Sequence, residues 1–515
     1  MPDNALEQFA ILLNASDDVA VARKTIPAGQ RLITDEGPLT STTDIRMGHK
    51  ISMRAIRPDA PVLKYGQIIG FATQAIRPGE HVHTHNLSVK DFDRDYEFSN
   101  EAQTVNFKAP DQIPTFQGYL RTDGRVGTRN YIALLASVNC SATVTKYVTE
   151  HFNNSTYREK YPNVDGVIAL THKSGCCLQP GDPSDTLKRV IMGMATHSNV
   201  FGYALIGLGC EGMQVPSLST QLKDYRGNGA APTYLVIQQS GGIRKTVNAA
   251  IEAIEELLPQ ANAAQRTSQP ASKLVLAMQC GASDAYSGIT GNPAVGAAAD
   301  EIIRCGGAAV LAETPEIYGA EHLLVRRAID AKVGKQLVNL IRWWEEQATL
   351  FDTAIDNNPS PGNKEGGLTT IFEKSLGAIS KAGQTPLNAV YQYAEVINKP
   401  GLGFMDSPGY DPVSMTGLAA GGANIGVFTT GRGSVYGCKP MPTLKIATNS
   451  VVYNFMPEDM DLDTGTILEG SESLDQCGQR IFDALLEMAS GQPTKSEAQG
   501  IGDEEFAPWI KGPTF

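Results

Sequence analysis

Tyr203-Ala-Leu-Ile-Gly-Leu-Gly-Cys-Glu211 reads as an apolar run that stops abruptly in a glycine-rich turn bearing a thiol and a carboxylate. Short apolar, β-branched runs bounded by turn residues are what a strand buried on both faces requires. The pattern recurs at Tyr131–Val138, Val167–Thr171, Tyr234–Ile237, Leu274–Met278 and Ala309–Ala312. Longer amphipathic stretches, such as Lys245–Leu258 and Glu321–Ala348, lie between or after these runs and predict helices. Strands alternating with helices imply an α/β fold with a largely parallel sheet covered on both faces. Beyond the Gly/Pro-rich segment Asn357–Gly367, further runs at Ile425–Thr429 and Leu444–Ala447 extend the pattern.

Upstream of residue 116 the pattern differs. Val19–Ala22, Gln30–Ile33, Ile51–Met53 and Ile68–Ala72 alternate with turns such as Pro27-Ala-Gly29 and Arg77-Pro78-Gly79, the spacing of a small β-rich module. Residues 96–115 are polar and aperiodic and read as a linker. The organisation expected is a β module over 1–95, a linker over 96–115, an α/β catalytic domain over 116–355 and a second α/β region over 356–515 that completes the active site.

With 515 residues, the chain exceeds one compact core. Its net charge of −12 and lack of a Lys/Arg cluster argue against a nucleic-acid groove. Met1–Ala22 has neither the basic start nor the apolar core of a signal peptide, and no apolar run is long enough to span a membrane. Eight Cys in a chain of this length do not suggest a disulfide framework, so a reduced cytoplasm is expected. The glycosylation sequons at Asn153 and Asn154 are then chance matches.

Ligands of open α/β sheets bind beyond the carboxyl ends of the strands. Here those ends read Asn139-Cys140, His172-Lys-Ser-Gly-Cys176-Cys177, Gly209-Cys210-Glu211, Gln279-Cys280-Gly-Ala-Ser283-Asp284, Glu313-Thr-Pro-Glu316 and Thr430-Gly-Arg432. Cys140, Cys176, Cys210 and Cys280 are candidate ligands for iron or an iron–sulfur cluster, set against the plainer reading of small buried hydrophobes. Cys305 and Cys477, within predicted helices, take the plainer reading. No CxxC spacing is present, so any ligand geometry must come from the fold.

Three of the eight His fall in His81-Val-His83-Thr-His85. Alternate residues of a strand share a face, so these imidazoles are expected to project together as ligands for Fe(II), Mn(II) or Zn(II); the alternative is an exposed polar strand. Gly207-Leu-Gly209-Cys-Glu-Gly212 matches the dinucleotide fingerprint, but the next strand ends in Gln238-Gln239 where an acidic residue is needed. Lys364, in a turn-rich loop, and Arg432, at a strand end, offer cations for a carboxylate; a solvated loop and a structural ion pair are the alternatives.

These segments together resemble the altronate/galactarate dehydratase family over nearly the whole chain. The resemblance is carried by Gly118-Tyr-Leu-Arg-Thr-Asp-Gly-Arg-Val-Gly-Thr-Arg-Asn130, Gly207–Glu211, Gln279–Asp284, Gly288–Pro293, Asn358–Gly367, Thr429–Gly433 and Tyr436-Gly437. The first 95 residues resemble the family's SAF-type β-clip domain, with Gly48-His49-Lys50 and Lys64-Tyr65-Gly66 in register. The His81–Asn86 stretch is more similar to altronate-type than to galactarate-type members. His172-Lys-Ser-Gly-Cys-Cys177 departs from the His-x-Tyr-Gly-Cys form of the sugar-acid dehydratases.

The resemblance implies β-elimination of water from an aldonate or aldarate with Fe(II) or Mn(II) as cofactor. Split-chain sulfolactate sulfo-lyases share the architecture and give an alternative substrate. On this reading His83, His85, Cys140, Cys176, Cys210 and Cys280 are metal ligands, and Ser283, Asp284, Asn363, Lys364, Thr430 and Arg432 bind substrate. His49, Lys64, His172 and His85 are candidate bases for the C2 proton, with Lys364 a further catalytic candidate. The partner expected is a small hydroxy acid, and the chain is expected to form a homo-oligomer. A redox iron–sulfur protein and a non-catalytic sugar-acid-binding protein are the competing classes.

Overall fold

A computed structural model describes residues 4–222 and 231–512. The N-terminal module is all β. Strands β1 (Ala10–Ile11), β2 (Val19–Ala22), β3 (Lys50–Ser52) and β4 (His81–Val82) form an antiparallel sheet in that order. Hairpins at Arg31–Thr34/Gly37–Thr40 and Pro61–Lys64/Gln67–Ala72 fold beside it. Leu6, Ala20, Ile26, Leu32, Ile45 and Ile51 make its core. Gly79 shows why the Pro-Gly turns are written as they are. Its φ is +82°, and a Cβ there would lie 1.9 Å from the Thr40 carbonyl oxygen.

Residues 131–236 form the first parallel sheet. Its strands are β5 (Tyr131–Ala136), β6 (Gly166–Leu170), β7 (Val200–Gly207) and β8 (Thr233–Val236), in the order β6-β5-β7-β8. Strand periodicity sorts its side chains. Ile132 and Leu134 pack against helices α1 (Ala142–Asn153) and α3 (Ile243–Ala263), while Ala133 and Leu135 pack against α2 (Asp182–Ala195).

The second parallel sheet has seven strands: β9 (Val275–Cys280), β10 (Ala308–Leu311), β11 (Leu387–Tyr391), β12 (Gly401–Met405), β13 (Ile425–Thr430), β14 (Thr443–Ala447) and β15 (Leu462–Asp463). Their order is β11-β12-β10-β9-β13-β14-β15, so strands from both sides of residue 355 interleave in one sheet. Leu276 and Met278 face a core shared with helices Gly291–Arg304, Ala331–Leu350 and Leu474–Ala489. Ala277, Val310 and Phe428 face helix Asp411–Ala420 in the core that α2 also enters, which joins the two sheets. The helices meet closely there, since a Cβ on Gly193 would lie 2.0 Å from the Ala420 carbonyl oxygen.

The structure is the α/β fold expected, with the β module in front. β11 and β12 escaped the sequence reading because Gly401-Leu-Gly-Phe-Met405 and Leu387-Asn-Ala-Val-Tyr391 are broken by glycine and asparagine. The amphipathic stretch from Glu321 divides at Asp330, whose carboxylate caps the second helix through Val333 N at 2.8 Å. Residues 96–115 run along the seven-stranded region: Tyr96 Oη donates to Glu321 at 2.7 Å, and the amides of Ser99, Glu101 and Lys108 bond Val325, Arg326 and Arg304. No helix among the described residues is long and apolar enough to cross a membrane.

Candidate active site

Where the β module meets the seven-stranded region, three imidazoles gather. The ligand atoms of His49, His81 and His83 all lie within 4.8 Å of one another. His49 sits at the start of β3 and donates from Nε2 to the Glu365 carbonyl oxygen at 3.1 Å. That bond leaves the Nδ1 lone pair facing His81 Nε2 at 3.0 Å. His83 Nδ1 is buried with no hydrogen-bond partner. Burial and the neighbouring cations push His81 down to about 4 and His83 down to about 3, and burial lowers His49 as well. All three are therefore neutral near pH 7, the form that binds a metal. An unpartnered nitrogen, a tautomer fixed by a backbone carbonyl and three neutral rings at this spacing fit a divalent ion.

The set differs from the one expected. Strand β4 stops at Val82, and the following turn is fixed by Asn86, which accepts from His83 N at 2.9 Å and donates to the His81 carbonyl at 3.0 Å. The turn ends the alternation, so His85 is exposed and lies outside the trio, its ring centroid 5.4 Å from that of His81. His49, a base candidate on sequence, takes the third place. Thirty-two residues separate it from His81, and only the β3–β4 pairing of Ile51 with His81 reveals the contact.

Beneath the trio lies a sealed charge cluster. Lys50 Nζ bonds both Glu373 oxygens, at 3.1 and 2.9 Å, and the Gly367 carbonyl at 2.7 Å, while Lys64 Nζ bonds Glu373 Oε1 at 2.8 Å. All three side chains are fully buried. The two ammonium groups outweigh burial and hold the Glu373 carboxyl far below its usual range, and Glu373 in turn holds Lys64 above its own. Lys64 is thus a locked cation, which removes it from the candidate bases. His172 is removed too: Nε2 meets the Ala136 carbonyl at 2.9 Å and Nδ1 accepts from Ser174 N at 3.2 Å, leaving no free ring nitrogen.

The substrate-binding candidates converge on the same crevice. Asn363 Nδ2 donates to the Ser283 carbonyl at 2.8 Å, Ala285 N to Gly366 at 3.0 Å and Arg432 N to Ala282 at 3.0 Å. Arg432 pairs with Glu365 at 3.1 Å, and both side chains are well exposed. Lys364 is half-buried in the short helix Pro361–Glu365, which Ser360 and Asn363 cap reciprocally. Ser283 Oγ is buried without a partner. Asp284 has a different part: its carboxylate accepts from Tyr286 N, Ser287 N and Oγ, Thr448 and Asn449, all at about 3 Å, so it organises the crevice wall. Thr430 Oγ1 likewise accepts from Gly433 N at 3.1 Å and shapes the Arg432 turn.

Deeper at the same sheet edge is a group only partly visible in sequence. Cys280 Sγ accepts from Lys381 Nζ at 2.7 Å, Lys374 pairs with Glu316, and Asn358 Nδ2 bonds Glu316 at 2.8 Å. Glu313, at a φ of +70°, is buried with Oε1 unpartnered, and burial with Glu316 and Asp411 nearby pushes its carboxyl well up. Cys280 therefore belongs to a cation–carboxylate network on the seven-stranded sheet, apart from Cys140, Cys176 and Cys210 on the four-stranded one. The glycine fingerprint at 207–212 is filled by the protein itself: Glu211 accepts from Leu208 N at 3.2 Å, Gly209 N at 2.6 Å and Ser137 Oγ at 2.9 Å, where a pyrophosphate would need those amides.

Three family models cover the chain in succession: an altronate/galactarate dehydratase SAF domain over residues 8–90, a D-galactarate dehydratase/altronate hydrolase second domain over 118–262, and a D-galactarate/altronate dehydratase C-terminal domain over 271–514. The altronate dehydratase of Bacillus subtilis is 33% identical over 505 residues, covering 98% of this chain and 99% of that protein. The chain belongs to the altronate/galactarate dehydratase family. An Escherichia coli altronate dehydratase is 34% identical, over 95% of this chain and 96% of its own length. The Escherichia coli galactarate dehydratase (L-threo-forming) is 35% identical, over 96% of both chains. Membership makes the protein a carbon–oxygen lyase, and the three domains of the family coincide with the β module, the four-stranded region and the seven-stranded region described above.

Proposed function

We propose that this chain removes water from a sugar acid, an altronate-like aldonate or a galactarate-like aldarate, to give a 2-keto-3-deoxy acid. The observation that carries this reading is that the His49–His81–His83 trio meets the segment next to Lys364: His49 bonds the Glu365 carbonyl, and Arg432 pairs with the Glu365 side chain. His49, His81 and His83 would hold a divalent ion such as Fe(II) or Mn(II). When bound, that ion supplies a Lewis acid that draws charge from the reacting carboxylate and eases loss of hydroxide.

The rest of the task falls to the chain. An α-proton beside a carboxylate is weakly acidic, so the carboxylate must be held by cations that favour the charge developing on it. Lys364 and Arg432 supply them. The exposed Arg432–Glu365 pair is worth at most about 1 kcal/mol, so a substrate carboxylate can displace Glu365 from the guanidinium. Ser283 Oγ offers a hydrogen bond to a substrate hydroxyl. His85, open to solvent beside the trio, is the imidazole left to take the C2 proton. The β module bonds the crevice through Lys50 and Gly367, and through Tyr286 Oη to the Ala22 carbonyl at 2.6 Å, and so excludes water from one side.

The test is an anaerobic assay of the full chain with Fe(II) or Mn(II) against altronate, galactarate, other sugar acids and sulfolactate. A 2-keto-3-deoxy product from a sugar acid supports the proposal; sulfite from sulfolactate as the only product, or no product at all, overturns it. The His85→Gln variant is expected to lower kcat by about 10²–10⁴-fold with metal content unchanged.

A further inference from the structure

The carboxyl edge of the four-stranded sheet carries chemistry that the imidazole site leaves unused. Strands β6, β5 and β7 are neighbours, and each runs into a loop bearing a thiol: Cys176 after β6, Cys140 after β5 and Cys210 after β7. Parallel neighbours lie about 4.8 Å apart, so the three loops leave the sheet side by side. Hydrogen bonds then tie them together. Asn139 N bonds the Ser174 carbonyl at 2.9 Å, Ser137 N bonds Ile206 at 3.0 Å, and Ser137 Oγ bonds Glu211 at 2.9 Å. Gly175, at a φ of +104°, lets the Cys176 loop press on Ser137 and Val138, where a Cβ would meet the Ser137 carbonyl at 2.6 Å. Cys140, Cys176 and Cys210 are all exposed, as is Cys177.

The spacing says what such a mouth holds. A single tetrahedral ion bound at about 2.3 Å brings its sulfurs to roughly 3.8 Å from one another. The three loop thiols are not drawn together to that degree: among the described residues only the imidazole trio has its ligand atoms within 4.8 Å. A polynuclear iron–sulfur core, whose thiolates sit on separate irons, suits the wider span. Cys177 Sγ is 3.7 Å from Cys176 Sγ, too near to serve a second corner of the same core.

We propose that Cys140, Cys176 and Cys210 bind a [4Fe–4S] cluster through three of its irons, leaving the fourth without a protein ligand and open to an oxygen donor such as a hydroxy acid. This site is separate from the imidazole trio. Binding is ligation by three thiolates with release of their protons to solvent, and it requires no change in the oxidation state of the sulfur.

The test is anaerobic reconstitution of the full chain with ferrous iron and inorganic sulfide, followed by iron and sulfide analysis, visible absorption and electron paramagnetic resonance of the reduced sample. About four irons and four sulfides per chain, with a charge-transfer band, are expected. C140S, C176S and C210S are each expected to lose the sulfide and the band while keeping the melting temperature of the cluster-free wild type, because the thiols are exposed. C305S, C477S and H83Q are expected to keep both. Addition of altronate or galactarate is expected to change the resonance of the reduced cluster. Iron uptake without sulfide, an unchanged cluster in the three serine variants, or a resonance that hydroxy acids leave untouched overturns the inference. Because these readouts need no turnover, a cluster that binds in a chain without dehydratase activity would contradict the proposed function and leave this inference standing.

Discussion

The two parallel sheets end in opposite ways at the edge where α/β proteins bind ligands. The four-stranded sheet finishes in exposed loops bearing Cys140, Cys176, Cys177 and Cys210. The seven-stranded sheet finishes beneath the β module, in a buried group where Cys280 meets Lys381, Glu316 meets Lys374, and Glu373 meets Lys50 and Lys64. Cysteine at a strand end therefore has no fixed meaning in this chain. With cover and a nearby ammonium it becomes one member of a charge network; without either it stays available as a soft ligand. Cover and a counter-charge decide the chemistry.

The largest effect should come from breaking the covered edge. Glu373→Gln leaves two ammonium groups buried with no counter-charge and is expected to cost about 3–5 kcal/mol in denaturant titrations. Cys210→Ser on the open edge should change stability by less than about 0.5 kcal/mol. Equal effects for the two variants would erase the contrast.

Acid should be felt in both regions, because buried imidazoles of the β module and of the four-stranded region are all held low. His197, in the four-stranded region, is fully buried, donates from Nε2 to the Ala423 carbonyl at 2.9 Å and accepts from Asn199 N at 3.0 Å, and burial lowers it to about 4. Its folded pKa lies below the unfolded value of about 6.5. The stability it contributes is therefore complete above that value and is lost as pH falls toward 4, an effect on the order of 3 kcal/mol. Glu373 is held far down by its lysines, so the stability it contributes is complete above the ordinary carboxylate range and is lost as pH falls through that range and below it. Stability of the wild type measured against pH should fall between about 6.5 and 4, and His197→Gln should flatten that slope. An identical slope in both would place the acid sensitivity elsewhere.

A small stability effect is also expected at the crevice rim. Arg432→Lys loses an exposed pair and should shift stability by less than about 1 kcal/mol. It also loses the fork that grips a carboxylate, worth about 1.5–3 kcal/mol, so KM is expected to rise roughly 10- to 100-fold. An unchanged KM would remove Arg432 from the carboxylate site.

Much of this was legible in the sequence, because buried parallel strands write themselves as uninterrupted apolar runs and Pro-Gly turns mark a β module. β11 and β12 were hidden by glycine and asparagine inside strands whose burial comes from neighbours far along the chain. Ser283 and Arg432 followed from reading each strand to its carboxyl end, and Asn363 from the turn-rich loop Asn358–Gly367. The membership of the imidazole trio did not, because strand periodicity predicted His85 where a two-residue strand and an Asn86 turn put His49 instead. Lys64 and His172 looked like bases because sequence shows a titratable group and conceals its partners. Glu373, the residue that locks Lys64, carried no signal at all, being one acidic residue on the apolar helix Ile371–Ile379.

The most direct measurement is parallel metal analysis and turnover of wild type, His49→Gln, His81→Gln and His83→Gln, loaded anaerobically with Fe(II) or Mn(II) and offered altronate and galactarate. A wild type that forms a 2-keto-3-deoxy acid, beside variants that lose the bound divalent ion and the product together, is the predicted result. Full divalent-ion content and unimpaired turnover in all three variants would contradict it.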